Sequence, residues 1–338
     1  MTQPVRRLLL VTPAFHGYGR SLAEALERSG YDVTWFPYDA HPGVRGKLDF
    51  AVRHRIPTAL RLHAVAERYV EEVTRSAVQA LTDADPDIVV TIKGEGLGRG
   101  YWQALDGSSR RQVLWLYDEI DRWCPDPALL ASRPLVVSYS RSDTERLRAE
   151  GLDAHYVPNA FDQTIPWTPR SSNEVVFVGA RYPDRTDLLT ALVGRGVPVR
   201  AYGRQWSRHV LDRVRTGEAG RPDVPAARDV SRSEAYGITA GSVAALSPHT
   251  GQGGFTMRTF ELPGTTSLQL IDRHDVEEFY EPGTEVAVYD GIDELVDLCH
   301  RAASDRAWAR RVGERGRART LAEHTFDHRV PLLEQLWA

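Results

Sequence analysis

The feature that most constrains this chain is a unit that recurs along it: an apolar run, a loop, an amphipathic helix closed by glycine, and a second apolar run. In its first occurrence Leu8-Leu9-Leu10-Val11 reads as a buried strand. Ser21 to Ser29 follows as a helix with Leu22, Ala25 and Leu26 on one face and Gly30 as its stop, and Val33-Thr34-Trp35-Phe36 is the next strand. Two strands joined through a helix run parallel with a right-handed crossover, so the pattern predicts a parallel sheet covered by helices on both faces. More strand-like runs come at Ile88 to Ile92, Val113 to Leu116, Leu135 to Tyr139 and His155 to Val157. A helix is expected over roughly Thr58 to Leu81, with Leu62, Val65, Ala66, Tyr69, Val70 and Val73 on its apolar face. Ser142 with Glu145 has capping-box spacing for a short helix ending at Gly151.

Pro158 to Asn173 is rich in Pro, Ser, Thr and Asn and lacks periodicity, so a first domain is expected to end there. A second series then begins. Val175 to Val178, Val199 to Tyr202, Val243 to Leu246, Leu268 to Ile271 and Glu285 to Tyr289 alternate with helical stretches, one opened by Ser231 and Glu234 in capping-box spacing. Helices follow at Ile292 to Ala303, Arg306 to about Glu323 and Val330 to Trp337. The 338 residues amount to two domains of ordinary size. The expected organisation is α/β, with two Rossmann-like domains over residues 1–163 and 164–323. A terminal segment, 324–338, carries Leu332, Leu333, Leu336 and Trp337 and must bury that face, with a crossing back to the first domain as the candidate route.

The 42 Lys and Arg residues stand against 46 Asp and Glu, a formal net charge of -4, which recommends neither nucleic acid nor an anionic membrane as partner. No stretch approaches the ~20 apolar residues of a spanning helix, and the expected location is the cytoplasm. The two cysteines, Cys124 and Cys299, lack the paired spacing of a zinc site and read as buried thiols; no metal site is expected.

In parallel sheets ligands bind beyond the carboxyl ends of the strands. The first such loop, Thr12 to Arg20, brings His16, Gly17, Tyr18 and Gly19 to a helix N-terminus, where the glycines let a ligand approach the backbone. Histidine as a residue type titrates near neutrality, so His16 suits a general base or an acceptor-hydroxyl contact. The loop lacks the Gly-x-Gly-x-x-Gly spacing and equally fits a plain structural turn with a surface histidine. Lys93-Gly94-Glu95-Gly96 puts both charges beside glycines, and Asp118 with Glu119 and Asp121 clusters carboxylates where an apolar strand emerges. Acceptor binding, base catalysis and helix capping all remain open for these acids.

The second half carries more chemistry. Phe177-Val178-Gly179-Ala180-Arg181 ends a strand on glycine, and Arg181 and Arg185 precede or open a helix, the fixed positive charge a diphosphate leaving group needs. Tyr202-Gly203-Arg204-Gln205-Trp206 offers rings that either flank a nucleobase or fill the core. Gly251-Gln252-Gly253-Gly254-Phe255 removes side-chain bulk where the chain enters a helix whose free N–H groups reach phosphates or sugar hydroxyls. Arg258 and Glu261 share one face of that helix: either a surface ion pair, or Arg258 on phosphate or sugar with Glu261 accepting from ribose hydroxyls.

Together these segments resemble the CgeB-like group of GT-B glycosyltransferases and, more distantly, the retaining glycosyl transferase group 1 families. The resemblance is best from Tyr139 to His328. It rests on Val157-Pro158-Asn159-Ala160-Phe161-Asp162, the Phe177 to Arg181 turn, Met257-Arg258-Thr259-Phe260-Glu261, Phe279-Tyr280-Glu281-Pro282-Gly283-Thr284-Glu285 and His324-Thr325-Phe326-Asp327-His328-Arg329, in that order. It implies a GT-B fold, two Rossmann-like domains facing across a cleft, with a nucleotide-diphosphate sugar in the second. Glu261 takes the place of the ribose-binding glutamate and Arg181 that of a diphosphate-binding arginine. Gly253 stands where the group 1 families often carry a second glutamate, which loosens the expectation of retained configuration.

The expected activity is sugar transfer from that donor to a hydroxyl or amine of a small-molecule or glycan acceptor, with neither cofactor nor metal. Gly179, Arg181, Arg185, Tyr202, Gly203, Gly253, Gly254, Phe255, Arg258 and Glu261 are the candidate donor site. His16, Gly17, Tyr18, Lys93, Glu95 and Asp118 are the candidate acceptor site. Arg181 and Arg258 would stabilise the departing diphosphate. In a retaining reaction the leaving phosphate takes the acceptor proton, and in an inverting one His16 or Asp118 is the base. A nucleotide-sugar epimerase and a non-catalytic sugar- or nucleotide-binding protein are the alternatives.

Overall fold

The computed structural model describes residues 6–40, 49–50, 52–53, 56, 63–123, 126–218, 220–249 and 251–337. They form two compact units. The first runs through Pro158 and takes in the terminal helix from Phe326; the second is Asn159–Thr325.

The first unit holds β1 (Arg7–Thr12), β2 (Asp32–Pro37), β3 (Ile88–Ile92), β4 (Arg111–Leu116), β5 (Val136–Ser138) and β6 (Ala154–Tyr156) in one sheet ordered β2-β1-β3-β4-β5-β6. Every pairing is parallel. Leu8 to Val11 are no more than 1% exposed because helices cover both faces, which is why the run is apolar without alternation. Each such side chain contributes about 1.5–3 kcal/mol by burial. The second unit holds β7 (Val175–Val178), β8 (Val199–Tyr202), β9 (Ala226–Ala227), β10 (Ala244–Ser247), β11 (Gln269–Ile271) and β12 (Ala287–Val288), ordered β12-β11-β10-β7-β8-β9 and again parallel.

In each sheet the chain winds one way from its first strand and then returns to wind the other way. The reversal lies between β1 and β3 in the first unit and between β7 and β10 in the second. Loops leaving the carboxyl ends of those four strands therefore flank the crevices where doubly wound sheets bind ligands. They are the loops after Thr12, Ile92, Val178 and Ser247.

Several local expectations change. The long helix is His63–Ala84, Val65 is 42% exposed and thus off the buried face, and Thr58 and Leu62 lie outside the described residues, as does Cys124. The short helix Arg141–Ala149 is capped by Ser140, whose hydroxyl accepts from the Asp143 N–H, and not by Ser142, whose hydroxyl instead bonds the Ser140 hydroxyl. Ser231 and Glu234 do form the capping box of helix Arg232–Gly241. β9 has no counterpart in the sequence reading, since two residues carry no periodicity.

Residues 159–173 pack as part of the second unit. Arg170 and Ser172 donate their N–H groups to the carbonyls of Gly237 and Gly241, 2.8 and 2.9 Å away, so this strap lies along the glycine face of helix Arg232–Gly241. In the first unit the terminal helix Phe326–Trp337 buries Phe326, Val330, Leu333 and Trp337 at helical spacing. It meets helix Tyr18–Arg28 and the turn after it: Arg28 pairs with Asp327 at 2.6 Å, the Tyr31 hydroxyl donates to Glu334 at 3.0 Å, and the Trp337 indole donates to Tyr31 at 3.0 Å.

Candidate functional site

The hub of the second unit is the turn that follows β7. The Gly179 N–H donates to the Tyr202 carbonyl at 2.9 Å, and the Gly179 carbonyl accepts from the Trp206 indole at 2.9 Å. A Cβ on Gly179 would stand 2.6 Å from the Nη2 atom of Arg258, so the guanidinium lies directly on this glycine. A Cβ on Gly203 would stand 2.6 Å from the Gly179 carbonyl oxygen. The two glycines thus let the ends of β7 and β8 close up and leave a seat for Arg258.

Arg258 and Arg185 share the Phe177 ring, their guanidinium carbons 5.2 and 5.5 Å from its centroid, a favourable placement for cations on a π face. Arg185, in helix Pro183–Gly194, is 8% exposed and donates to the carbonyls of Ala180 (3.2 Å) and Pro248 (3.4 Å) and to Gln252 Oε1 (3.2 Å). It ties together the loops after β7 and β10. The Arg181 N–H donates to Gln205 Oε1 at 3.1 Å, while its guanidinium pairs with Glu218.

The glycine-rich loop after β10 is clamped at several points. His249 donates its N–H to both carboxylate oxygens of Asp272, at 2.8 and 3.0 Å. Its ring Nδ1 lies 2.8 Å from the Ser247 carbonyl and its Nε2 3.0 Å from the Thr259 hydroxyl, so in the neutral ring Nδ1 donates and Nε2 accepts. Arg273 donates to the carbonyls of Gln252 (2.9 Å) and Gly253 (3.0 Å) and lies 4.1 Å over the Phe255 ring. Phe255 is buried, and the Asn159 amide donates to its carbonyl at 2.9 Å. Of the two glycines, Gly253 is exposed and Gly254 buried. The loop delivers the chain to helix Met257–Gly264, whose N-cap Thr256 supplies no side-chain hydrogen bond and whose Thr259 N–H is taken by the Thr256 carbonyl at 3.0 Å. Four residues into that helix, Glu261 accepts from the Tyr236 hydroxyl at 3.0 Å, which holds its carboxylate in one orientation.

The first unit brings other candidates together. Lys93 Nζ stands 3.0 Å from Glu95 and 3.3 Å from Asp118, and Arg122 lies 3.8 Å from the other Asp118 oxygen. Glu95 also borders a cavity of about 290 Å³ with Trp102, Trp123 and Asp126 on its wall. Exposed His16 sits in the left-handed region (φ 47°), edge-on to Phe15 at 4.3 Å, with the Tyr18 ring 6.4 Å away. Gly17, at φ 75°, is the N-cap of helix Tyr18–Arg28. Gly19 serves packing, because a Cβ there would collide with the Thr12 hydroxyl, which accepts from the Trp35 indole at 2.9 Å.

Two aromatic candidates of the second unit turn inward. Trp206 is 1% exposed and packs edge-on to Phe177 in the main core. Tyr202 packs against the cluster of Val176, Ile238, Ala245 and Leu262, and burial raises its phenol pKa above the ordinary value. The sequence reading missed Glu218, Gln205, Tyr236 and Arg273. Each acts through a partner far along the chain, so no local spacing announces it. Among the described residues, no group of three or more His, Cys, Asp or Glu is gathered to hold a metal ion, and no helix is long and apolar enough to cross a membrane.

Residues 185–335 match the sequence profile of a family described as Glycosyl transferase-like. No curated protein matches the chain. Among solved structures it is similar to a sucrose-phosphate synthase from Thermosynechococcus elongatus, at 14% identity and TM-score 0.65 over 98% of both chains. HepE of Anabaena, solved with UDP-glucose, shares 12% identity and TM-score 0.62 over 98% of this chain and 99% of its own. A Listeria monocytogenes protein assigned as a UDP-N-acetylglucosamine 2-epimerase shares 10% identity and TM-score 0.56 over 98% and 95%. At these identities the structural likenesses establish the GT-B fold, and the segment from Arg185 to the terminal helix is similar to the glycosyl transferase-like family.

Proposed function

We propose that the second unit binds a nucleotide-diphosphate sugar and that the enzyme transfers the sugar to a hydroxyl or amine of an acceptor held by the first unit. The observation that carries this reading is the seat of Arg258 on Gly179, which brings an arginine from the helix after β10 onto the glycine turn after β7. Both strands border the chain reversal, where the crevice of a doubly wound sheet lies. Arg258, Arg181 and the first-turn N–H groups of helix Met257–Gly264 hold the diphosphate and stabilise its growing charge as the glycosidic bond breaks. Glu261, oriented by Tyr236, accepts from the ribose hydroxyls. Arg185 sets the shape of the turn, and Gly253 and Gly254 admit the sugar. In the first unit His16, Gly17, Tyr18, Lys93, Glu95 and Asp118 contact the acceptor.

The reaction is metal-independent in this reading, because arginines and helix amides supply the positive charge. It retains configuration, with the leaving phosphate taking the acceptor proton; if it inverts, His16 or Asp118 is the base. UDP-glucose, the ligand of HepE, is the first donor to try. Calorimetric titration with nucleoside diphosphates and their sugars tests the donor assignment. Arg181→Ala and Glu261→Ala should each weaken binding at least tenfold, and unchanged affinity in both removes it. A nucleotide-sugar epimerase has this fold too. Incubation with donor alone separates the two, since an epimerase yields an isomer and a transferase slow hydrolysis.

A further inference from the structure

We propose that Glu218 is an internal competitor for the donor's diphosphate, a carboxylate that occupies Arg181 until donor displaces it. The inference rests on the assignment of Arg181 to the diphosphate.

Arg181 is fixed at its backbone and committed at its side chain. Its N–H is held by Gln205 Oε1 at 3.1 Å, which anchors the turn whatever the side chain does. Its Nη2 donates to Glu218 Oε2, while its Nε is buried with no hydrogen-bond partner, so the guanidinium retains an unused donor. The same Glu218 oxygen accepts from Arg221 Nη1 at 3.2 Å. Arg221 is 3% exposed and immobile: it donates to the carbonyls of Ser207 (3.0 Å), Glu218 (3.1 Å) and Gly220 (3.0 Å) and to the Thr216 hydroxyl (2.7 Å).

Two guanidinium groups thus share one carboxylate oxygen. A phosphoryl oxygen suits an arginine fork at least as well, and a diphosphate brings more negative charge than Glu218 does. The carboxylate is 36% exposed, so solvent and ligand reach it. Arg221 holds the Glu218 main chain through its carbonyl at 3.1 Å, so the carboxylate leaves Arg181 by rotation of the Glu218 side chain alone. Its carboxylate neutralises Arg181 in the empty enzyme and sets a threshold of negative charge that a ligand must exceed.

Glu218→Gln keeps the shape and removes the charge, and Glu218→Asp withdraws the carboxylate by one methylene while leaving a charge near Arg221. Both are titrated by calorimetry with UDP, GDP, ADP and dTDP beside the wild type, Arg181→Ala and the Glu218→Gln/Arg181→Ala double variant, each checked for folding by thermal melting. The nucleotide that binds the wild type best should bind each Glu218 variant about two- to fivefold more tightly, the release of one partly exposed ion pair. The gain should vanish when Arg181 is absent. Equal or weaker binding in the Glu218 variants, or a gain that survives Arg181→Ala, overturns the proposal. Wild-type binding that Arg181→Ala destroys but Glu218→Gln leaves unaltered removes the competitor and keeps the donor site. If none of the four nucleotides binds any of these proteins, the donor reading falls and the competitor falls with it.

Discussion

Replacing Gly179 with alanine tests the donor site at its narrowest point. The new Cβ would sit 2.6 Å from Arg258 Nη2 and 3.2 Å from both Cζ and Nη1. Ordinary van der Waals contact begins near 3.4 Å, so the guanidinium must withdraw by about 0.8 Å. The guanidinium is the far end of a flexible side chain and can give way, but Gly179 lies at φ 157°, which any side chain adopts only with strain, so the fold should lose about 1–3 kcal/mol. The same withdrawal carries the donor out of reach of a phosphate oxygen. Losing one charge-assisted hydrogen bond, worth about 1.5–3 kcal/mol, weakens nucleotide binding about ten- to hundredfold. Gly203→Ala is the contrasting control, since its Cβ would meet the Gly179 carbonyl oxygen at 2.6 Å and the Trp206 ring at 3.1 Å, neither of which can step aside. The ends of β7 and β8 must part, and φ 152° strains any side chain there, at a combined cost of about 3–5 kcal/mol. Urea denaturation reads the stability change in both variants and calorimetry reads the affinity. A Gly179→Ala protein that stays folded and binds nucleotide as the wild type does would show that Arg258 does not touch the diphosphate.

Gly241→Ala should destabilise the protein by about 2–4 kcal/mol in the same urea assay. Its Cβ would collide with the main chain of Arg170, lifting the 168–172 strap and breaking its bonds to the helix; a change under about 0.5 kcal/mol would contradict this. Asp212, 2% exposed, accepts from Arg228 Nε at 2.9 Å and Nη2 at 3.2 Å, which holds its carboxyl below the usual carboxylate range. A depressed folded pKa stabilises above the unfolded value of about 3.9 and ceases to as pH falls through the folded one. Asp212→Asn should therefore cost about 1–3 kcal/mol at pH 7, and the gap to wild type should close below about pH 4; a gap constant with pH would refute the linkage. Cys299 is 2% exposed, with burial pushing its thiol up to about 12. In a Cys124→Ser background a disulfide reagent should label it only in denaturant, and labelling of the native protein would contradict its burial.

How much of this was legible depended on range. Strands buried on both faces announce themselves as unbroken apolar runs, so Leu8 to Val11 and Val175 to Val178 needed no structure. The glycine turns after β7 and β10 could be found because a ligand crevice lies at strand ends, a rule of position alone. The direction of Tyr202, open between nucleobase and core in the local sequence, is readable from strand alternation. Val199 and Ala201 of β8 lie in the main core, so alternation sends Tyr202 to the opposite face, away from Phe177. What stayed hidden was the set of long-range partners. Glu218 meets Arg181 across 37 positions, and Asn159 meets the Phe255 carbonyl across 96, separations that only the fold closes. Ser140 displaced Ser142 for a smaller reason: two serines two residues apart offer the same hydroxyl, and backbone geometry chose the one in extended conformation.

The segments behind the family resemblance turn out to build one clamp. The Phe161 N–H donates to the His324 carbonyl at 2.8 Å, and the Asn159 amide holds Phe255. His324 Nε2 lies 2.9 Å from the Phe279 carbonyl, where it donates, and its ring packs among Phe260, Phe279 and Tyr280 at centroid distances of 5.2–5.5 Å. Asp162 adds a buried ion pair to Arg232 at 3.1 Å. Asn159, Phe161 against Gly264, and His324 bear on helix Met257–Gly264 or the loop that feeds it, while the Asp162 pair ties the same strap to helix Arg232–Gly241, and in the proposed reading a helix end that meets a phosphate has to be held within a few tenths of an ångström. The aromatic clamp does that holding from behind, with Phe260 on the buried face and Arg258 and Glu261 half-exposed on the other. In the proposed reading the shared segments supply both the mounting of the site and, at the Gly179 turn and Arg258, part of the site itself, and Glu218, outside all of them, is where this chain can set its own preference for what binds.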